Sequence, residues 1–485
     1  MNINIIYKIQ MFKQTQIKSD GFSKEMQELL EQSLLESGIE DAKNIVQTEY
    51  NIGSGLSNKQ KIAFELFKTE ENLLILGPGG VGKSKIIKTM ENYIKTEYPT
   101  KNIYITSTTG ISAFSVGGVT IHSFMGIGTG EQDIGFLIRK ILRKKEQRQR
   151  IIDTDILIID EISMMSASLF EKINLIFQHF RKNKLPFGGV QIVLTGDMMQ
   201  LLCIFNNNVE IYGEQDTRLI VESDIFNSIF KKDQNIIVLD ENFRQKGNPK
   251  FIDLLSRIRI GKITEDDINV LKSRKISKTL IPPKDIIHLV STNKKAQTIN
   301  ETHLKNLPGS IKNFKIKYTS KIGDKDSCEL LEREMHSQFN QRGLIDLNLK
   351  KNCRVMLIKN LDVEKGLVNG ALGTVLDFIN DSVKVQFDTD AVHIIPRSEF
   401  QLELGNNCIK AMQMPLMIAA CITISKSQSL SLDAAILDLG NVFADGMGYV
   451  ALSRLRTLDN MYIESFDEKK ITISDIMKNY MDNLI

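Results

Sequence analysis

Cysteine is scarce and scattered in this 485-residue chain: Cys203, Cys328, Cys353, Cys408 and Cys421, with no C-x-x-C pair among them. With no early signal peptide either, a disulfide framework is excluded and buried thiols in a reducing, intracellular compartment are expected. Proline and glycine are not in excess and no acidic tract occurs, which excludes extended disorder. Long apolar runs are missing too. The longest candidate, "MPLMIAACITI" from Met414, is too short to cross a bilayer, so a soluble protein with no membrane partner is expected. Charge of one sign is also lacking: 62 basic against 59 acidic residues leave a net +3, so any nucleic-acid site must be a local patch. What remains is an ordinary globular composition, 42% hydrophobic and 25% charged, long enough for about three domains of roughly 150 residues each.

Residues 1–50, with "SKEMQELLEQSLLESG", read as a helical, polar N-terminal extension. Beyond them short apolar runs recur, "NLLILG", "NIYITS", "DILIID", "VQIVLTG" and "NIIVLD", each followed by a helix-length segment. That rhythm predicts α/β structure with buried parallel strands. A second apolar series, "IIHLVST", "LMIAACITI" and "DAAILDLG", is interrupted between its first two members by short β-branched strands joined by Gly and Asp/Asn turns, from about Leu307 to Gly405. This insert reads as a small antiparallel barrel. The charge run "RKILRKKEQRQR", Arg139 to Arg150, is open to two readings, a solvated helix face or a nucleic-acid contact.

"LLILGPGGVGKSKIIKTM" places Gly77, Gly82, Lys83 and Ser84 in the G-x-x-x-x-G-K-[ST] pattern, after an apolar strand and opening a helix. Gly77, Gly79, Gly80, Val81 and Gly82 then form a loop whose backbone N–H groups converge on phosphates. Lys83 reaches the β/γ-phosphates and Ser84 ligates Mg²⁺. "DILIIDEISMMS" ends a strand in Asp160, a second Mg²⁺ ligand, and Glu161, which orients or deprotonates the attacking water. "VQIVLTGD" leads to Asp197 and Gln200, the latter a candidate sensor of the γ-phosphate. Two arginines that follow apolar strands and are read with the second α/β half, Arg244 in "LDENFRQ" and Arg454 in "YVALSRLR", are candidate fingers closing on ATP.

These motifs, in this order from about Leu56 to Ile463, resemble the Pif-type DNA helicases of superfamily 1B, relatives of RecD. "LSNKQKIAFELF" is similar to the family's adenine-recognition segment, with Gln60 as its glutamine, and "TSTTGISAFSVGGVTIHSF" to its first DNA-contacting motif. "LPFGGVQIVLTGDMMQL", "LDENFRQKGNPKFIDLLSRIRIG", "VNGALGTV" and "GYVALSRLRTLDNMYI" resemble the later motifs. The resemblance implies an α/β fold of two RecA-like P-loop domains with parallel sheets and a small β-barrel (SH3-like) insertion in the second. Motor domain 1 then spans 51–240, with a short basic insertion near 131–150; motor domain 2 spans 241–306 and 406–485, and the barrel 307–405. It further implies ATP and Mg²⁺ as cofactors, 5′-to-3′ movement on single-stranded DNA, and unwinding of tailed duplexes by a monomer or a dimer formed on DNA. Replication, repair, recombination and telomere maintenance are the implied settings, in a nucleus or a viral replication compartment.

A motor indifferent to sequence grips backbone phosphates with hydroxyls, amides and N–H groups and stacks bases on a few rings. Inside the resemblance Thr120, His122, Ser123 and Phe124 of "TIHSF" take that role, although His122 and Phe124 taken alone read as core. Thr292 and Asn293 are further backbone contacts. Thr423, Ser425 and Lys426 of "TISKSQSLSL" face phosphate, and Gln428 relays the nucleotide state. The chain departs from the family pattern at Leu202 and Cys203, where two prolines are usual, at Ser425 and Ser429, which replace His and Gly, and in having no Trp. These departures bear on DNA grip and leave the ATP-site residues intact. An RNA helicase or remodeller, and a DNA-binding ATPase without strand displacement, remain as alternatives.

Overall fold

The computed structural model describes residues 55–484 apart from 110–111, 114–115, 204, 206–215, 284–285, 323–327, 330–331, 333–334, 337–338, 341–343, 360, 363–364, 366, 368–369, 405–406 and 429. The expected N-terminal extension, residues 1–50, and Ser429 therefore lie outside the described residues.

α1 (Asn58–Lys68) starts at a capping box, in which Gln60 Oε1 accepts the Ser57 N–H at 3.0 Å. The first half of the chain continues through β1 (Leu73–Leu76), α2 (Lys83–Glu97), β2 (Ile103–Ser107), β3 (Val119–Thr120), α3 (Ile121–Met125), α4 (Ile134–Leu142), α5 (Lys145–Asp153), β4 (Ile156–Asp160), α6 (Ala167–Arg181), β5 (Gln191–Gly196), α7 (Asp224–Ile229) and β6 (Ile236–Val238). Its strands form one sheet in the order β3-β2-β4-β5-β1-β6, every pair parallel. β1, β4 and β5 are buried at every position. Helices cover both faces, so these strands read as continuous apolar runs. Leu73 and Ile75 pack with α1 and α2, while Leu74 and Leu76 face α3 to α7, the period-2 alternation of a strand.

The second half opens with α8 (Pro249–Arg259), α9 (Glu265–Ser273), β7 (Ile287–Val290) and α10 (Asn293–Asn306). An antiparallel part follows: β8 (Lys312–Lys315), β9 (Lys317–Ile322), β10 (Asp346–Leu349), β11 (Arg354–Leu357), β12 (Leu372–Ile379), β13 (Ser382–Phe387), β14 (Val392–Ile395), β15 (Ser398–Leu404), β16 (Asn407–Gln413) and β17 (Leu416–Ile418). These make three small sheets, β10-β8, β14-β13-β12-β11-β17 and β15-β16-β9, around one core containing Phe314, Val355, Val385 and Ile409. The insert thus runs past residue 405. "LMIAACITI" looked like one strand but breaks at Ala419–Ala420. Its first part pairs antiparallel with β11, and its second, β18 (Cys421–Thr423), pairs parallel with β7.

β19 (Ala435–Leu439), α11 (Met447–Ser453) and β20 (Met461–Phe466) complete a parallel sheet in the order β18-β7-β19-β20. The last helix, α12 (Asp475–Leu484), leaves that half. Met477 and Met481 are buried in the core of the first sheet, and Tyr480 packs against Phe226 of α7 with ring centroids 6.0 Å apart.

Candidate nucleotide site and nucleic-acid face

The phosphate loop leaves β1 and turns into α2 on glycines with left-handed backbone. Gly80 has φ +92°, and an added Cβ there would stand 2.5 Å from Arg244 Cβ; Gly82 has φ +81° and caps α2. Both the conformation and the closeness of neighbouring groups require the missing side chain. Lys83 Nζ donates to the Gly77 and Pro78 carbonyls at 2.7 and 3.0 Å, so the ammonium is held at the loop mouth. Burial pulls its pKa down, against the opposing charges of Asp197, Glu161 and Asp160.

Asp160 ends β4 and is buried, accepting hydroxyl hydrogens from Thr195 and from Ser112. Glu161 follows with φ +54°, a left-handed conformation uncommon outside glycine. Its buried side chain lines the same cavity as Asp160 and Ser84. A carboxylate and a hydroxyl facing the phosphate loop suit Mg²⁺, which takes few protein ligands and completes its shell with phosphates and water.

The opposite wall comes from the second half. Arg244 Nη1 donates to the Ser453 carbonyl at 3.0 Å. Arg454 is only 1% exposed and donates to the Val450 carbonyl at 2.9 Å and the Ser453 hydroxyl at 2.9 Å. A Cβ placed on Gly79 would lie 3.1 Å from Arg244 Nη1 and 3.4 Å from Arg454 Nη2, so both guanidiniums reach the phosphate loop. Burial lowers both pKa values, and for Arg244 the neighbouring Arg454 charge adds to it. Two like charges so close and so buried suit an anionic occupant. The cavity measures about 410 Å³ and is lined by Gly79, Gly80, Gly82, Lys83, Ser84, Asp160, Glu161, Gln200, Phe243, Arg244, Ser431, Arg454 and Arg456. Gln428 crosses from the second half, its amide lying 3.5 Å from Glu161 Oε2 and 3.4 Å from Gln200 Oε1, while its own buried Oε1 has no hydrogen-bond partner among the described residues.

Gln60, expected to read adenine, has its amide committed locally: Nε2 donates to the Val81 carbonyl at 2.8 Å and Oε1 caps α1. The residue that sequence reasoning missed is Phe243, which is 40% exposed, lines the cavity and approaches Gly82. It stands inside the quoted "LDENFRQ", between a candidate finger and an asparagine, and only its exposure in the fold distinguishes it from core.

The nucleic-acid candidates divide. Because β18 and β7 are parallel neighbours, with Thr423 opposite Val290, the exposed pair Thr292–Asn293 and the segment Thr423–Lys426 leave the sheet side by side. Ser425 is exposed and Lys426 half-buried, while Thr423 is buried and its hydroxyl accepts the Lys426 N–H at 3.3 Å, so in this structure it folds its own turn. Thr120 caps α3 by accepting the Ser123 N–H at 3.2 Å and remains half-exposed, with Ser123 exposed beside it. His122 is half-buried, and desolvation holds its pKa below 6.5 despite a hydrogen bond to the Thr129 backbone. Phe124 is 0% exposed, tilted against Tyr104 at 5.1 Å with the Arg150 guanidinium 5.7 Å from its ring. No face is left for a base, because α3 turns this side chain into the core beneath the sheet.

The basic run is divided between its two readings. Lys140, Lys144 and Arg150 point inward at the carbonyls of Ile127, Gly126 and Phe124, and Lys172 of α6 reaches that of Gly130. Arg139, Arg143 and Lys145 face solvent. Half of the run therefore fastens the segment after α3, and half is open to a polyanion.

Residues 55–269 match the family model of PIF1-like helicase, and residues 334–378 that of the DNA helicase Pif1 2B domain. The ATP-dependent DNA helicase PIF1 of Danio rerio is 31% identical over 433 residues, covering 87% of this chain and 62% of the relative. The chain thus spans about three fifths of the length of the curated animal relatives it matches. A crystal structure of Pif1 helicase from Candida albicans superposes with TM-score 0.75 at 29% identity, covering 89% of this chain and 99% of that one. A crystal structure of Pif1 helicase from Bacteroides in complex with ADP-AlF3 and ssDNA gives 0.65 at 26% identity, covering 88% and 96%.

Proposed function

Because this chain belongs to the PIF1-like helicase family, we propose that it is an ATP-dependent DNA helicase that moves 5′ to 3′ on single-stranded DNA and opens tailed duplexes. One observation carries the proposal. Lys83, Asp160, Glu161 and Gln200 of the first half meet Arg454 and Gln428 of the second at one cavity, with Arg244 of the joining segment bonded to the Ser453 carbonyl beside them, so a nucleotide there touches both halves at once. The Bacteroides Pif1 helicase in complex with ADP-AlF3 and ssDNA pairs the same classes of ligand, which supports this reading.

In this reading Lys83 and the loop amides bind the phosphates, and Arg244 and Arg454 stabilise charge that develops on the γ-phosphate. Ser84 and Asp160 hold Mg²⁺, which supplies neutralisation of the phosphate oxygens. Glu161 takes a proton from the attacking water, and Gln200 and Gln428 report the occupant's state across the cleft. Phe243, half-exposed beside the loop, offers a face on which the base stacks. Thr120, His122, Ser123, Thr292, Asn293, Ser425 and Lys426 hold the DNA backbone.

The test is ATP hydrolysis with and without poly(dT). Glu161→Gln removes a general base and lowers the stimulated rate by about 10²–10⁴-fold, and Lys83→Ala abolishes it. Wild-type turnover in either variant overturns the site. Displacement only from a 3′-tailed duplex overturns the polarity, and stimulation by poly(rU) in place of poly(dT) makes the protein an RNA motor. Tight binding to tailed duplexes without strand displacement at saturating ATP makes it a DNA clamp, the reading favoured by serine at the exposed position 425.

A further inference from the structure

We infer that Arg259 and Tyr449 are positioning residues that hold the sensor Gln200 from the opposite half of the molecule, through the buried carboxylate of Asp197. The inference rests on the function proposed above and adds two residues to it. Asp197 follows β5 and is fully buried. One carboxylate oxygen accepts Arg259 Nε at 3.0 Å, Arg259 Nη2 at 2.8 Å and the Met199 N–H at 3.2 Å; the other accepts the Tyr449 hydroxyl at 3.2 Å and Gln200 Nε2 at 3.3 Å. A carboxylate removed from water is tolerated only when such donors replace its hydration.

Arg259 ends α8 and Tyr449 lies in α11, so both donors come from the second half while Asp197 and Gln200 belong to the first. Hydrogen bonds weaken steeply with distance and angle. These ones therefore hold at one relative placement of the two halves and loosen at others. Gln200 is fixed at both ends of its amide, by Asp197 through Nε2 and by Gln428 through Oε1. α11 carries Tyr449, and Arg454 follows directly after the helix. Any rotation that brings Arg454 onto a phosphate therefore also moves the hydroxyl that braces Asp197. Burial raises the Tyr449 pKa, which keeps the O–H a donor; Arg259 and Lys83 together outweigh burial and keep Asp197 an ionised acceptor.

Tyr449→Phe deletes one hydroxyl and leaves the Arg259–Asp197 pair to hold the fold. Its DNA-stimulated kcat falls about tenfold while the KM for ATP stays within about twofold, because a hydrogen bond to a charged group is lost without a nucleotide contact. Base pairs opened per ATP fall as well. Amide exchange at Met199 and Gln200 in the nucleotide-free chain rises by about tenfold, a readout independent of turnover. Unchanged exchange, or a wild-type kcat and coupling ratio, overturns the inference. Equal losses in kcat, ATP affinity and melting temperature also overturn it, leaving a structural brace. A wild-type protein without DNA-stimulated hydrolysis refutes the proposed function instead, and the exchange measurement still decides this inference.

Discussion

Gly446 stands where the two halves press together, and replacing it with alanine measures how far that contact is transmitted. Its φ is +74°, and a Cβ there would lie 2.7 Å from the Gln200 carbonyl oxygen and 2.8 Å from that of Met199. A tolerable carbon–oxygen contact is about 3.3 Å, so roughly 0.6 Å of separation is needed. The opposing atoms are backbone, so the shift falls on the placement of one half against the other. The left-handed conformation alone costs an L-residue about 1–2 kcal/mol, small beside a total stability of about 5–15 kcal/mol; Gly446→Ala therefore folds. Displacing α11 and Arg454 from the Gln200 wall is more serious, since about 1 Å of misplacement costs up to 10²-fold in rate. A loss of roughly tenfold in DNA-stimulated kcat is expected on that scale. Gly309→Ala is the control: φ +91° with nothing within 4 Å of the added Cβ, it carries the backbone penalty without the clash. Steady-state ATP hydrolysis and thermal denaturation of both variants decide. Equal kcat in the two would refute the claim that the Gly446 contact sets the geometry of the cavity.

Two further outcomes follow from the region after α3. Phe124→Ala removes a fully buried ring and lowers stability by about 3–5 kcal/mol in urea denaturation. Phe124→Leu, which keeps most of the volume, binds single-stranded DNA as the wild type does; a selective loss of binding with normal stability would restore the ring to the DNA interface. Burial, with Lys140 beside it, draws the Lys144 pKa from 10.5 to about 8. The folded chain then releases this proton at lower pH than the unfolded chain, so stability rises with pH between about 8 and 10.5 and the benefit is absent below that window. Lys144→Met lacks that rise. Urea denaturation of both proteins at about pH 7.5 and 9.5 tests it, and parallel changes would refute the shift.

The phosphate loop was legible because everything that makes it is local: four buried residues of β1, two left-handed glycines and the start of α2 lie within one short stretch. The parallel sheets were legible for the same kind of reason, through strands buried on both faces. What escaped depends on residues far apart in the chain. Phe124 is core because Tyr104 of β2 and Arg150 of α5 close over it, and neither is visible from "TIHSF". Lys140 and Lys144 look like a solvated face until the carbonyls of Gly126 and Ile127 are placed beside them. Tyr449 sits within a quoted motif, yet its partner lies 252 positions earlier. The end of the insert was misplaced because "LMIAACITI" is uniformly apolar. Composition cannot reveal that its two parts belong to sheets of opposite pairing sense.

The return of α12 to the first half has a mechanical consequence. Among the described residues the polypeptide passes between the two halves twice, once after β6 and once between β20 and α12, where Met477 and Met481 are sunk in the first core. Two covalent tethers limit the relative motion of two bodies more than one does. The first of these joints runs directly into Phe243 and Arg244, which line the cavity. The two halves are thus joined at two crossings, one of them beside the nucleotide cavity.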